Sequence, residues 1–295
     1  MIIAVSGATG YIGTALSRYL TMQGNKILPL WRSLFDSENN GKLRDIISCS
    51  DVVINLAGAS INRRWNKKNK EVIFSSRVKT TSILVDAIRD SSPRPGLLIS
   101  ASAVGYYGDN DTYDEYNAVK GNGFLAGVCE AWEKEAQEVS SLLRVAITRF
   151  GVVLSPDGGA MAKILKPVKL FKVAPGIGPG TQPFPWISLA DLCRAMQFLI
   201  EHSSLSGVFN FVSPQIVTYS EFVKKTGKNY GALFSVNLPE AVIKLIMGES
   251  ASILTSGQRV IPRRLQDAGF TYESPCLDAF FEKADSTHAS VKSTL

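Results

Sequence analysis

The stretch IIAVSGATGYIGTAL near the start of the chain leaves the fold little freedom. Ile2–Ser6 is a short, β-branched run suited to a buried strand, and Ile12, Leu16 and Leu20 then recur at helical spacing until Gly24. Between them stand Gly7, Gly10 and Gly13 in G-x-x-G-x-x-G order. Lack of a side chain allows a tight turn at Gly7, approach of a diphosphate to the backbone at Gly10, and close packing of helix on strand at Gly13. The amides of Thr9, Tyr11 and Ile12 fall in the loop and first helical turn, where unpaired N–H groups and the positive end of the helix dipole favour phosphate. A glycine turn with no ligand is the plainer alternative, but its position between a strand and a helix favours a dinucleotide site.

The second strand, KILPLW, bears on which dinucleotide. Folds selective for NAD place an acidic residue about 20 residues past the glycines, where it holds the ribose 2′-hydroxyl. Here the sequence reads LWRS. Arg32 can stack on adenine and pair with a 2′-phosphate, and Ser33 can add a hydrogen bond, so the expected cofactor is NADP, with NADPH favoured over NADH. A surface arginine that merely follows a strand is the alternative.

Further along, apolar strands alternate with amphipathic helices. DVVINLAG is followed by one helix through VIFSSRVKTTSILVDAIRD, then by GLLISASAVGYYG, by the helix FLAGVCEAWEKEA, and by the strand RVAITRFGVVL. This alternation predicts an α/β fold, a Rossmann-type doubly wound parallel sheet with helices on both faces. The link between KILPLW and DVVINLAG is too short for a full strand–helix unit, so one element of the usual sheet should be abbreviated. Past Leu154 loop signals take over, in PDGG and APGIGPGTQPFPW, while SLAD and TYSE read as capping boxes on either side of a further strand, GVFNFVS. The expected division is a nucleotide-binding domain over residues 1–155, to which 186–213 return, and a smaller mixed α/β lobe over 156–185 and 214–295.

Composition narrows the function classes. With 45% apolar and 20% charged residues the chain has an ordinary globular balance. No apolar run approaches the roughly 18 residues of a membrane span and no basic leader opens the chain, so no membrane partner and a cytoplasmic location are expected. Cys49, Cys129, Cys193 and Cys276 stand far apart, and His202 and His288 lie late, which argues against disulfides, a metal centre or a Ser-His-Asp hydrolase. The net charge of +6 reads as a solvated surface suited to an anionic cofactor. Basic residues are spread along the chain, densest at Arg63, Arg64, Lys67, Lys68 and Lys70, with no nucleic-acid-binding motif, so no nucleic-acid partner is expected.

With these residues in view, the chain resembles the extended short-chain dehydrogenase/reductase superfamily over essentially its full length. Within it, the chain is similar to the atypical epimerase-family proteins labelled nucleoside-diphosphate-sugar epimerases, including their C-terminal domain of unknown function. The motifs are SGATGYIG, VINLAG, RRW, SSRVKTT, SASAVGYYGD, WEKEA, TRFGVVLSPDGGAM, FPWI and MGESASILTSGQRVIPRRLQDAGF. The resemblance implies that Asn55, Leu56, Ala57 and Gly58 pass beside the adenosine ribose and diphosphate, and that Arg77 lies near the phosphates. It also implies that Ser100 and Ser102 end the fourth strand, Ser102 being the better match for the serine that hydrogen-bonds the reacting oxygen. The plainer readings are a strand end, a helix-surface charge and turn-capping serines. Many members pair through two helices, so a homodimer is a further implication.

One departure stands out. Catalytic members carry a tyrosine and, one helical turn later, a lysine that assists its proton transfer. FLAGVCEAWEKEA contains no tyrosine, and Phe124, Leu125, Val128 and Trp132 read as a core stripe. YNAVK gives Tyr116 and Lys120 the right mutual spacing, but in a charged stretch without helical apolar spacing, so the pair reads as a decoy. Tyr106 and Tyr107 are better placed but lack a lysine partner. Arg63, Arg64, Trp65, Gln182 and Trp186 are candidates for lining a substrate cleft, or equally for packing. The expected function is an NADP(H)-dependent oxidoreductase or epimerase acting on a small or nucleotide-linked substrate, with Ser102 and an unidentified proton donor. The alternative is a protein that senses NADP(H) without turnover.

Overall fold

The structure, a computed structural model, describes residues 1–109, 111–156 and 158–292. Asp157 of the PDGG loop signal lies outside the described residues. The first half of the chain runs β1 (Ile2–Ser6), α1 (Tyr11–Met22), β2 (Lys26–Leu30), α2 (Asn40–Ser48), β3 (Val52–Asn55), α3 (Lys67–Ser75), α4 (Val78–Arg89), β4 (Leu97–Ala103), β5 (Thr112–Tyr113), α5 (Phe124–Gln137) and β6 (Arg144–Phe150). The second half runs β7 (Val152–Ser155), α6 (Gly159–Phe171), β8 (Val173–Ile177), β9 (Trp186–Ser188), α7 (Leu189–Glu201), β10 (Gly207–Phe211), α8 (Tyr219–Asn229), β11 (Phe234–Leu238), α9 (Glu240–Met247), α10 (Ser252–Thr255), β12 (Arg259–Val260), α11 (Arg263–Asp267) and α12 (Leu277–Lys292).

Two compact units emerge. The first comprises residues 1–108, 119–149 and 193–209; the second comprises 109–118, 150–192 and 210–295. Residues 109–118, within the expected range 1–155, thus group with the second unit. There the half-buried Glu115 carboxylate accepts the amides of Asn210 at 2.7 Å and Arg264 at 3.2 Å. In the same segment β5 pairs with β12.

The first unit is built on a six-stranded sheet in the order β10-β6-β4-β3-β1-β2, with β1 parallel to β2 and β3, and β3 parallel to β4. After β2 the chain returns through α2 directly to the far side of β1, so the strand that usually lies outside β2 is omitted. That is the abbreviation expected from the short link. It leaves β2 at an edge, the position that tolerates Pro29, which has no N–H to give a further strand. Ala4, Val53, Leu98 and Ile147 on the sheet meet Leu84 and Ile88 of α4 and Ala136 of α5 in one buried cluster.

Two expected elements are broken. The single helix expected through VIFSSRVKTTSILVDAIRD is α3 and α4, separated at Ser76 and Arg77. Here side chains take over the backbone's partners. Ser76 Oγ accepts the amide of Ala59, and the Arg77 guanidinium donates to the carbonyls of Ile73 and Ala59. The strand expected through RVAITRFGVVL is β6 and β7, parted at Gly151. A side chain there would meet the Pro185 carbonyl oxygen at 2.8 Å, so only glycine lets the chain pass that close. β7 then pairs with β9 in a separate sheet of the second unit.

The second unit has its own core, in which Trp186, Phe222, Met161, Leu165 and Phe280 are buried. Both expected capping sites appear. Thr218 and Glu221 form the reciprocal box that opens α8. Ser188 Oγ accepts the Asp191 amide, and the buried Asp191 carboxylate accepts the amides of Glu273 and Ser274, which joins the start of α7 to the stretch before α12.

Candidate functional site

Parallel register brings four strand ends to one edge of the first unit. Ser6 stands opposite Leu30 and Asn55, and Asn55 opposite Ser100. The Gly7 loop, Trp31 and Arg32, Leu56 to Gly58, and the end of β4 therefore leave the sheet at the same side, where open parallel sheets bind their ligands.

The glycine loop is folded tightly. Gly7 has φ +71°, and a side chain on it would lie 2.8 Å from the Leu56 carbonyl. Gly10 donates its amide to the Gly7 carbonyl at 2.9 Å. A Cβ on Gly13 would stand 2.1 Å from the Gly7 oxygen, so α1 rests directly on the turn. Gly10 is the N-cap of α1 and brings no side chain to the helix end, while Thr9, Gly10 and Tyr11 are exposed and Ile12 half-buried. These residues fit a dinucleotide: the turn, the uncapped helix start and its exposure leave amides open to a diphosphate.

Arg32 and Ser33 open a short 3₁₀ turn (Arg32–Phe35) just after β2, both exposed. The Ser33 carbonyl accepts the Asn39 side chain at 2.9 Å, which steadies the turn. Asn55 and Ser100 turn inward. Asn55 accepts the Ser6 hydroxyl at 2.6 Å and donates to Thr81 at 2.8 Å and Ser100 at 3.4 Å. Both are buried, so their side chains lock β1, β3, β4 and α4 together, and any approach of a ligand is to the backbone beyond them. Arg77 braces Ala59 and Ile73 as described, lies 5.3 Å from the Trp132 ring, and would touch a side chain at Gly58 at 3.0 Å. Burial pushes the Arg77 pKa down.

At the end of β4 sits a network that the sequence did not reveal. Ser102 donates its hydroxyl proton to Glu133 of α5 at 2.6 Å. Arg149 of β6 holds both oxygens of the same carboxylate, at 2.8 Å and 2.7 Å. The guanidinium stacks on Tyr106, 3.5 Å from its centroid, and on Tyr107 at 4.7 Å. Burial opposes the Arg149 charge, but the hydrogen bonds and charge of Glu133 outweigh it and raise the arginine's pKa. Beside them Cys129 is buried, and its thiol is pushed up to about 11, first by desolvation and then by Glu133. The available signal was that Glu133 shares a helical face with the small buried residues Ala126, Cys129 and Ala136.

The remaining candidates make other contacts. Tyr116 belongs to the second unit, is exposed, and reaches Asp267 at 3.4 Å, whereas Lys120 belongs to the first and pairs with Glu130 at 2.8 Å. Neither is helical. Trp186 is core of the second unit, and Gln182 donates to the carbonyls of Ile177 and Leu254. Trp65 packs edge-on against Phe124 of α5, and its indole N–H donates to the Ile61 carbonyl. Among the described residues no cluster of metal-ligating side chains occurs.

Comparison with known proteins agrees with this architecture. Residues 3–211 match the NAD dependent epimerase/dehydratase family, and residues 238–284 match a domain of unknown function, DUF1731. The chain is 34% identical over 291 residues to the epimerase family protein SDR39U1 homolog, chloroplastic, of Arabidopsis thaliana, covering 92% of this chain and 83% of that one. Among solved structures, human epimerase family protein SDR39U1 (isoform 2) with NADPH superposes with a TM-score of 0.88 at 33% identity, over 96% of this chain and 99% of that one. The nucleoside-diphosphate sugar epimerase from Corynebacterium glutamicum superposes with a TM-score of 0.75 at 27% identity, over 95% of this chain and 57% of that one. With the strand–glycine-loop–helix edge, the parallel sheet and these matches in hand, the chain belongs to the NAD dependent epimerase/dehydratase family.

Proposed function

We propose that this chain binds NADPH at the strand-end edge of its first unit and serves as an NADPH-sensing protein, without conventional tyrosine–lysine turnover. Cofactor binding is supported by the glycine cradle, the uncapped start of α1, Arg32 and Ser33 beside it, and the likeness to a human protein solved with NADPH. The diphosphate would lie against the Gly7–Gly13 loop and the 2′-phosphate against Arg32. Bound NADPH supplies a hydride donor; the chain's own residues decide whether a proton can accompany the hydride.

The observation that carries the sensing reading is the direction of the Ser102 hydrogen bond. Its hydroxyl donates at 2.6 Å to a carboxylate held bidentately by Arg149, and the side chain is buried. A hydroxyl used in this way has lone pairs but no proton to offer a substrate oxygen. α5 adds no tyrosine in place of the missing acid. One feature favours the oxidoreductase reading, on a small or nucleotide-linked substrate: Tyr106 is half-buried at the end of β4, stacked on a guanidinium, and carries a phenol in the right region.

Titration calorimetry and single-turnover absorbance separate these readings. NADPH should bind more tightly than NADH, and Arg32→Ala should cost NADPH about tenfold or more in affinity, as loss of a charged hydrogen bond does, with NADH little changed. Equal losses for both coenzymes would remove the cofactor assignment. The sensing reading requires no NADPH oxidation by aldehydes, ketones or nucleotide sugars. Oxidation that survives Ser102→Ala and vanishes in Tyr106→Phe would replace it with a reductase.

A further inference from the structure

The whole chain has a net charge of +6, yet two segments of the second unit, 159–177 and 222–238, hold seven lysines and no acidic residue. Four are on and just after α6: Lys163, Lys166, Lys169 and Lys172. The others, Lys224, Lys225 and Lys228, are on α8, where Glu221 stands in the first turn and Lys225 pairs with Asp278 of α12, so six of the seven carry the positive face. The sequence shows these as separate runs; the fold joins them. The carbonyl of Lys172 accepts the amides of Leu233 at 2.8 Å and Phe234 at 3.3 Å, and β11 then pairs along the whole of β8. Gly227 sits so close to the same strand that a Cβ there would lie 3.2 Å from that of Ala174 and 3.3 Å from that of Ala232. The ends of α6 and α8 and the start of β11 therefore meet.

At the meeting point apolar side chains face solvent. Leu170 and Phe171 are 63% and 72% exposed, Leu233 and Phe234 73% and 68%. Val236 and Leu238 extend the patch on the same face of β11 as Phe234, at 51% and 47%. Single exposed leucines are ordinary, but a cluster of large apolar side chains marks a surface that meets something else. On α6 the lysines 163, 166 and 169 recur every three residues along the solvent face, and Leu170 falls among them. Lys172 follows in the left-handed region, φ +56°, where glycine is the unstrained residue.

Two of the three partners such a tip could take fit it poorly. A second copy would bring one lysine cluster against another, and a nucleic acid would satisfy the lysines but leave the leucines and phenylalanines against charged backbone. An anionic bilayer answers both features. Headgroup phosphates and carboxylates meet the ammonium groups, the apolar tips enter the acyl boundary, and the lysine stems span between. We propose, in place of the sequence expectation of no membrane partner, that this tip of the second unit docks the protein on the surface of anionic phospholipid membranes. It is surface binding: no helix among the described residues is long and apolar enough to cross a membrane. The proposal does not rest on the cofactor reading.

Cosedimentation of the full chain with vesicles tests it. The protein should pellet with vesicles of phosphatidylcholine mixed with phosphatidylserine, remain in solution with phosphatidylcholine alone, and be released by added salt. Lys166→Glu with Lys169→Glu should lower partitioning about tenfold or more. Phe171→Ser with Phe234→Ser should lower it too, while leaving its salt dependence. All four positions are exposed, so melting curves should match wild type, and the wild-type comparison of the two vesicle types stands without them. Absence of pelleting, or equal pelleting with both compositions, overturns the proposal. So does a dimer in sedimentation velocity that Phe171→Ser with Phe234→Ser dissolves, or duplex DNA binding in place of vesicle binding.

Discussion

Glu133 and Arg149 form an ion pair whose side chains are only 7% and 4% exposed. Removing one partner leaves an uncompensated buried charge, so Arg149→Met or Glu133→Leu should destabilise by about 3–5 kcal/mol, read as a lower urea midpoint. The double replacement Glu133→Leu with Arg149→Met should recover most of that loss; if it is as unstable as the single variants, the network does more than cancel its own charges. Thiol reactivity gives a second check at this scale. Desolvation pushes Cys193 up to about 12 and Cys129 up to about 11, and both are buried, whereas Cys49 is exposed. A disulfide reagent near neutral pH should modify Cys49 first and leave those two unmodified until the chain unfolds.

The glycine loop sets expectations for whole elements. Gly13→Ala would press a methyl to 2.1 Å from the Gly7 oxygen, part α1 from the turn, and abolish NADPH binding in calorimetry. Gly24→Ala meets nothing within 4 Å and changes only a left-handed residue at the end of α1, so it should cost about 1 kcal/mol and leave binding intact. Elements such as β1 and α1 were legible because their signals are local: β-branched runs, helical spacing and glycines at fixed intervals. The break between α3 and α4 was not, because it depends on Arg77 and Ser76 reaching Ala59, on another segment. The same holds for Glu133. Its face was readable from the helix period, but its partner Arg149 is on a strand, and nothing in either segment names the other.

For the whole molecule, ligand linkage gives the expected outcome. If the first unit takes NADPH, saturation at a hundred times the dissociation constant should add about 2.7 kcal/mol and raise the melting temperature, while NADH at the same concentration should raise it less. No shift with either coenzyme would leave the glycine cradle without a ligand. The parallel sheet was visible in the strand–helix alternation. The path of residues 109–118 was not, since Glu115 finds Asn210 and Arg264 across long stretches of chain, and burial pushes its carboxyl pKa up where no neighbouring residue announces it.

The sheet's last strand also bears on how the protein is made. β10 flanks β6, yet it follows residues 150–192, which belong to the other unit. A nascent chain stopped before Gly207 would present β6 as a bare hydrogen-bonding edge, so the ribosome must deliver the second unit's early segment before the first unit can close. Synthesis therefore passes through a stage in which a long polypeptide waits, unfinished, for one helix and the short strand after it.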